Sequence, residues 1–202
     1  MGLESIEFNG KVYPSFQATG NAARWCRPFA DEILKGLTHG LDIGYSKEEW
    51  KYPGSIGIEP SINPQFHAMN LPVYGGEGFD YIHSSHSLEH VKENWMNVLD
   101  YWMSVLRVGG ILFLYLPHVS QEYWQTWSNR KHVHQFTGTE IADYLKSKGH
   151  KVFLSSVDLN NSFIVVAEKS IYSDSKSNDP KTKLGDLPPS ERFTFDITGN
   201  AQ

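Results

Sequence analysis

The chain has 202 residues, a formal net charge of −5 and a single cysteine. That length suits one domain with a substantial core, and 40% apolar with 13% aromatic residues excludes a disordered chain. The acidic balance argues against a general nucleic-acid binder, and Cys26 alone excludes an internal disulfide and fits a reducing compartment.

In chain order, residues up to Thr19 read as an irregular or edge segment, with breakers at Pro14 and Gly20. This start is polar and acidic, unlike a signal peptide, and Ile6 sits where an N-myristoylation pattern wants Ser or Thr. Asn21 is placed to cap a helix from Ala22 to Leu34, interrupted by Pro28 and ended by Gly36. Its Trp25, Phe29, Ile33 and Leu34 predict the buried face. Gly40 to Ile43 is a short apolar strand suited to burial on both faces, and Ser55 to Ile58 is a second, closed by Glu59 and Pro60. Pro60 to Met69 is too short for a long crossover helix, and a brief strand is expected at Phe66 to Met69. A glycine-rich turn at Gly75 to Gly78 leads into a strand from Phe79 to Ser84 and then S-S-H-S-L-E-H at Ser84 to His90.

A helix follows from about Asn94 to Leu106, with Trp95, Val98, Leu99, Trp102 and Leu106 as its apolar stripe. Gly109-Gly110 reads as its close, before the most apolar strand, Ile111 to Leu116. After an aromatic and basic loop, Thr137 and Glu140 form a capping box for a helix from Gly138 to Lys148, stopped by Gly149. Lys151 to Val157 and Ser162 to Glu168 read as an antiparallel hairpin. From Ser170 the chain turns polar and is expected to be a mobile tail, with F-T-F-D-I-T as a candidate edge-pairing segment. No apolar run approaches the roughly 20 residues of a membrane span, so a cytoplasmic protein is expected. The pattern predicts an α/β fold: a three-layer sandwich around a Rossmann-like, mostly parallel sheet with an antiparallel terminal hairpin strand.

Ligands of open α/β sheets bind outside the carboxyl ends of the strands. A carboxylate that ends the second strand is the usual holder of the two ribose hydroxyls of an adenosine. Asp42, Gly44 and Glu59 therefore point to an adenosine-containing ligand. Five segments then occur in order: L-D-I-G at Leu41 to Gly44, I-G-I-E at Ile56 to Glu59, A-M-N-L-P at Ala68 to Pro72, F-D-Y-I-H-S-S-H-S-L-E-H-V at Phe79 to Val91, and L-R-V-G-G-I-L-F-L-Y-L-P at Leu106 to Pro117. Together they resemble a class I S-adenosylmethionine-dependent methyltransferase, of the small type-11-like kind of bacteria and phages, over roughly Gly36 to Glu168.

The resemblance implies S-adenosyl-L-methionine as cofactor, held by Asp42, Gly44, Tyr45, Ser46, Glu59, Pro60, Asn70, Leu71, Ser85 and His86, with the Leu71 backbone N–H offered to the adenine. It implies a domain over residues 1–169, with a cofactor part at about 36–117 and an acceptor-side loop at about 117–136, ahead of a tail at 170–202. The sequence departs from the family pattern D-x-G-x-G-x-G: Asp42, Gly44, Ser46 and Glu48 retain only the first glycine. Ser46 is small enough to let the backbone approach a ligand, whereas Glu48 is unsuited to a positive φ. Glu48 and Glu49 would repel the pyrophosphate of a nicotinamide dinucleotide. They suit the ammonium and sulfonium of S-adenosylmethionine, and one of them is expected to meet that positive end.

The acceptor-side loop carries Tyr123, Trp124, Trp127, Arg130, Lys131, His132 and His134. Aromatic faces beside cationic donors suit a small-molecule or sugar acceptor, with Tyr123, Trp127, Arg130 and His132 as its contacts. Arg24, Trp25 and Arg27 either reach the same mouth or form a solvated helix face. If the acceptor needs a base, His86 is the first candidate and His118 the second, with Glu89 and His90 bracing the next helix. The run from His86 to His90 also matches the H-x-x-E-H of inverted zinc proteases. Its place at a strand-to-helix turn and the lack of a marked third ligand leave the metal set empty. A catalytically silent methyltransferase-like binding protein, and a zinc hydrolase using His86 and His90, are the alternatives.

Overall fold

The structure is a computed structural model that describes residues 5–8, 10–14, 22–122, 125–126, 130–158 and 160–171. In chain order its elements are strands β1 (Ser5–Phe8) and β2 (Lys11–Pro14), helix α1 (Ala22–Ile33), strands β3 (Gly40–Ile43), β4 (Ile56–Ile58) and β5 (Phe79–Ser85), helix α2 (Trp95–Val105), strand β6 (Leu106–Pro117), helix α3 (Gly138–Ser147), and strands β7 (Lys151–Leu154) and β8 (Ser162–Glu168). Three-residue 3-10 turns at Glu48–Trp50 and Leu88–His90 follow β3 and β5. β1 and β2 form an antiparallel hairpin where an irregular segment was expected. The Asn9-Gly10 pair between them is the sequence signal for it.

The other six strands form one sheet in the order β4-β3-β5-β6-β8-β7. β3, β4, β5 and β6 are parallel, and β8 runs antiparallel to both β6 and β7. This is the mostly parallel, Rossmann-like sheet with an antiparallel terminal strand that the pattern predicted. The segment Phe66 to Met69 contributes only an isolated bridge, His67 to Asn70, and not a strand.

Strand β6 shows why both faces are covered. Ile111, Phe113 and Tyr115 pack into one core with Ala22, Cys26 and Ala30 of α1, while Leu112, Leu114 and Leu116 join the opposite core with Val98, Leu99 and Trp102 of α2 and Ile141 and Leu145 of α3. Side chains alternate across a strand, so a continuous apolar run serves two cores. The helix positions follow from packing. α1 buries Ala22, Cys26 and Ala30; of the predicted face, Leu34 is buried and Trp25 and Ile33 pack against the same core, while Phe29 is 50% exposed. Small residues at that spacing let the helix lie close to the strands. Pro28 lies within α1 without ending it.

Gly109-Gly110 does not close α2, which ends at Val105. Both glycines lie inside β6, where the register against β5 shifts. A Cβ on Gly110 would meet the Arg107 carbonyl oxygen at 2.8 Å, so this bulge requires a bare backbone. α3 opens on the expected capping box: Thr137 Oγ1 accepts from the Glu140 N–H, and the Glu140 carboxylate accepts from the Thr137 N–H. Among the described residues no helix is long and apolar enough to cross a membrane. The expected tail, with its F-T-F-D-I-T segment, lies outside the described residues beyond Ile171.

Candidate functional site

A cleft of about 760 Å³ opens at the carboxyl ends of β3, β4 and β5. Ile43 and Gly44 come from the end of β3, Ile58, Glu59 and Pro60 from β4, and His86 and Ser87 from β5. His67 and Ala68 form one wall, and Lys92, Arg130, Lys131 and Val133 lie toward the other. Strands that end side by side leave their following loops to enclose this space, as the sheet topology dictates.

The loop after β3 is fixed by geometry that the glycine pattern only hinted at. Gly44 has φ +83, and a Cβ there would lie 2.1 Å from Ser87 Oγ. Ser46 holds φ +58, so the left-handed turn persists at the second glycine position without glycine. Glu48 opens a 3-10 turn and pairs with Lys51, and its φ is not positive. Glu49 lines a separate cavity of about 580 Å³ with Arg24, Arg27 and Trp50. Neither carboxylate lines the cleft, so the expected contact of Glu48 or Glu49 with a cofactor's positive end is not formed. For the same reason Arg24 and Arg27 do not reach the cleft mouth. Trp25 is turned away as well, its indole N–H donating to Asp158 Oδ2 at 2.8 Å.

Glu59 is half-buried on the cleft wall. Its Oε1 accepts from Ser61 N–H at 3.0 Å and Ser61 Oγ at 2.7 Å, which fixes the carboxylate, and no described residue bonds Oε2. Asp42 stands behind the cleft. It is 1% exposed, its Oδ2 accepts from the Tyr52 N–H at 2.6 Å, and its Oδ1 lies 2.7 Å from His83 Nδ1. The His83 ring is sandwiched between Tyr52 and Phe113, with its Nε2 3.9 Å from Cys26 Sγ. Burial pulls the His83 pKa down, but the adjacent Asp42 carboxylate outweighs it and holds the ring up at about 10. Asp42 therefore staples the loop to β5, and contact with a ligand would cost one of its buried bonds.

Four more expected cofactor contacts are placed elsewhere. The Leu71 N–H donates to Tyr101 Oη at 3.0 Å and is not offered to the cleft, and Asn70 Nδ2 donates to the Gln65 carbonyl. His67 and Ala68 occupy that wall instead. Tyr45 is 7% exposed and packs on Gly57, where a Cβ would meet its ring at 2.4 Å. Ser85 is buried with an unpartnered Oγ, and Ser87 is the serine that lines the cleft.

The far end of the cleft gathers imidazoles around a carboxylate. His86, at φ +49, directs Nε2 at Ser162 Oγ, 3.0 Å away, and Nδ1 at Glu89 Oε1, 3.7 Å away. His90 Nε2 and His132 Nε2 lie 3.9 and 4.0 Å from the same oxygen. Glu89 is fully buried, neither of its carboxylate oxygens has a hydrogen-bond partner, and burial pushes its pKa up to about 8. Burial, then the His132 and His90 rings, pushes His86 down to about 3. His86 lines the cleft, and its ring is neutral. His118 is not in the cleft: its Nδ1 is bonded to Ser120, and it lines a separate small pocket. His132 turns inward to Glu89, leaving Arg130 as the predicted acceptor contact that does line the cleft, while Tyr123 and Trp127 lie outside the described residues. The His86-to-His90 run forms a three-residue 3-10 turn, not the long helix of an inverted zinc protease. Sequence reasoning did not single out His67, Ser87 or Lys92 as contacts, although Ser87 lies within the S-S-H-S-L-E-H run.

Comparison with known proteins places this geometry. A SAM-dependent methyltransferase from Thermotoga maritima superposes with a TM-score of 0.58 at 17% identity, covering 77% of this chain and 95% of that one. A 1,6-didemethyltoxoflavin-N1-methyltransferase from Burkholderia thailandensis, bound to S-adenosylhomocysteine, superposes at 0.55 with 12% identity over 77% and 84% of the chains. The N-methyltransferase NodS from Bradyrhizobium japonicum, also bound to S-adenosylhomocysteine, gives 0.52 at 12% identity over 72% and 86%. At these identities the likeness is one of fold. No curated protein matches the chain by sequence. The profile of a family described as a methyltransferase domain matches residues 18–154, more than half of the chain and the whole of the cleft-forming sheet edge. The chain belongs to that methyltransferase domain family.

Proposed function

We propose that this protein transfers a methyl group from S-adenosylmethionine to a small-molecule or sugar acceptor. The observation that carries the reading is the pairing, across one cleft, of a carboxylate at the end of β4 with a Cβ-free turn at the end of β3. The cofactor supplies a methyl group already activated by the sulfonium.

Glu59, held by Ser61, is preset to accept two hydroxyl hydrogen bonds from a ribose. Gly44 presents bare backbone and Ser46 only a small side chain, so this left-handed turn lets the backbone approach a ligand closely. His67 and Ala68 offer a flat wall to a base. Lys92, Arg130 and Lys131 border the opposite end, where cationic donors favour a hydroxyl-rich or anionic acceptor. The Burkholderia neighbour, which holds a small heterocycle beside its spent cofactor, supports an acceptor of small size. Catalysis then rests on holding donor and acceptor in line, which supplies about 7–11 kcal/mol in well-oriented systems.

Titration calorimetry with S-adenosylmethionine and S-adenosylhomocysteine tests this. One molecule should bind per chain, and Glu59→Ala should weaken it by one to two decades, since a hydrogen bond to a charged group contributes about 1.5–3 kcal/mol. Absence of binding by either ligand refutes the reading. Unchanged affinity in Glu59→Ala removes Glu59 from it.

A further inference from the structure

We propose that Glu89, His90 and His132 form a binding site for a first-row divalent transition-metal ion.

A hydrogen-bond partner assigns the His90 tautomer. His90 Nδ1 lies 3.0 Å from the Lys131 carbonyl oxygen, which can only accept, so Nδ1 carries the proton and the Nε2 lone pair faces Glu89. The His90 lone pair thus faces a carboxyl that is fully buried and, among the described residues, accepts no hydrogen bond from another residue, a place that takes either a proton or a metal ion. His86 Nδ1 lies 3.7 Å from the same carboxyl, with its Nε2 3.0 Å from Ser162 Oγ. An imidazole whose far nitrogen donates to a carbonyl is also the usual way a metal-binding histidine is oriented.

The positions fit an ion. The donor atoms of Glu89, His90 and His132 all lie within 4.8 Å of one another, and Glu89 Oε1 is 3.7 to 4.0 Å from the three ring nitrogens. Metal bonds of about 2.0–2.2 Å place neighbouring donors roughly 3.0–3.5 Å apart, so the three side chains draw in by up to about 1.5 Å to close the shell. The backbone is built to hold it: the N–H groups of Val133 and His134 both donate to the Glu89 carbonyl, at 2.8 and 3.2 Å, which docks the His132 loop onto the turn that carries Glu89 and His90. Two ring nitrogens and one carboxylate suit zinc, cobalt, iron or nickel and disfavour magnesium and calcium, which prefer oxygen. His86 and His90 also line the cleft, so a bound ion would stand where it could take an acceptor hydroxyl oxygen and make it more acidic. That use rests on the methyl-transfer reading, whereas the site itself rests on these side chains alone.

The test is to strip the full chain with a chelator and titrate it with Co²⁺, Zn²⁺ and Mg²⁺, without cofactor. One equivalent of Co²⁺ should develop the visible bands of a four- or five-coordinate site, Zn²⁺ should displace it, and Mg²⁺ at equal concentration should not. His132→Ala and Glu89→Gln should each weaken Co²⁺ binding at least tenfold, and His39→Ala, an exposed histidine far from the cluster in sequence, should leave it unchanged. If Glu89→Gln fails to fold, a Zn²⁺-dependent rise in melting temperature of the native chain, absent in His132→Ala, decides in its place. No uptake, or full uptake by both His132→Ala and His90→Ala, overturns the proposal. A native chain that takes up no metal and holds a proton on Glu89 near neutrality overturns it equally. Calorimetry with S-adenosylmethionine on the same stripped protein reads the methyl-transfer proposal separately.

Discussion

Replacing Gly44 by alanine probes the point at which the cleft and the fold depend on the same atoms. The residue has φ +83, where an L-side chain costs about 1–2 kcal/mol. Its new Cβ would also lie 2.1 Å from Ser87 Oγ and 2.4 Å from Ser87 Cβ, so the turn after β5 must shift. Overpacking of this kind costs about 1–3 kcal/mol. Gly44→Ala should therefore destabilise the protein by about 2–5 kcal/mol, a drop of roughly 1–2 M in the urea midpoint for a domain of this size. Ser87→Gly removes both clashing atoms but not the backbone strain. The double variant should recover about 1–3 kcal/mol of the loss and keep a residual of about 1–2 kcal/mol. Urea unfolding of all four members of the cycle measures the coupling directly. Additive single effects would refute the claim that these two residues share one space, and a Gly44→Ala cost below about 0.5 kcal/mol would refute the left-handed requirement as well.

Other outcomes follow from the buried pair behind the cleft and from the loop beside it. Asp42→Asn breaks a fully buried charged contact to His83 and should cost about 3–5 kcal/mol by chemical unfolding. The sign of the pH effect is fixed by His83, whose folded pKa of about 10 lies above the imidazole's ordinary value near 6.5. Its contribution is fully present below about pH 6.5 and is lost as pH rises toward 10. Melting temperature should fall over that window in the native chain, and the fall should be shallower in Asp42→Asn. Glu48→Ala with Glu49→Ala should leave S-adenosylmethionine affinity within about twofold by calorimetry, because neither side chain lines the cleft.

The amphipathic and apolar periods settled much of the fold before any tertiary information. Ile111 to Leu116 could only be a strand covered on both faces, and Thr137 with Glu140 could only open a helix. The carboxylate at Glu59 was legible because a strand, a charge and Pro60 are adjacent in the chain. Where burial depended on distance to a partner and not on hydrophobicity, the sequence misled: α1 turns Ala22, Cys26 and Ala30 to the sheet because small residues allow close approach, and leaves Phe29 exposed. Gly109-Gly110 resembled a helix stop, but a bulge in β6 used the same freedom.

The site divides in the same way. Gly44 and Glu59 were readable from local motifs, and even Ser46 keeps the glycine-like turn. Asp42 and the Leu71 N–H, equally local in the motifs, proved to be taken by His83, Tyr52 and Tyr101, partners that only the packed structure supplies. From Ala22 onward, and apart from the strand expected at Phe66 to Met69, sequence by itself determined the order of strands and helices, because each period is a property of a few neighbouring residues. Only the tertiary structure decided which side chains meet, above all that His132 comes to Glu89 and His90, because that encounter is made by the docking of a loop and leaves no local trace in the chain.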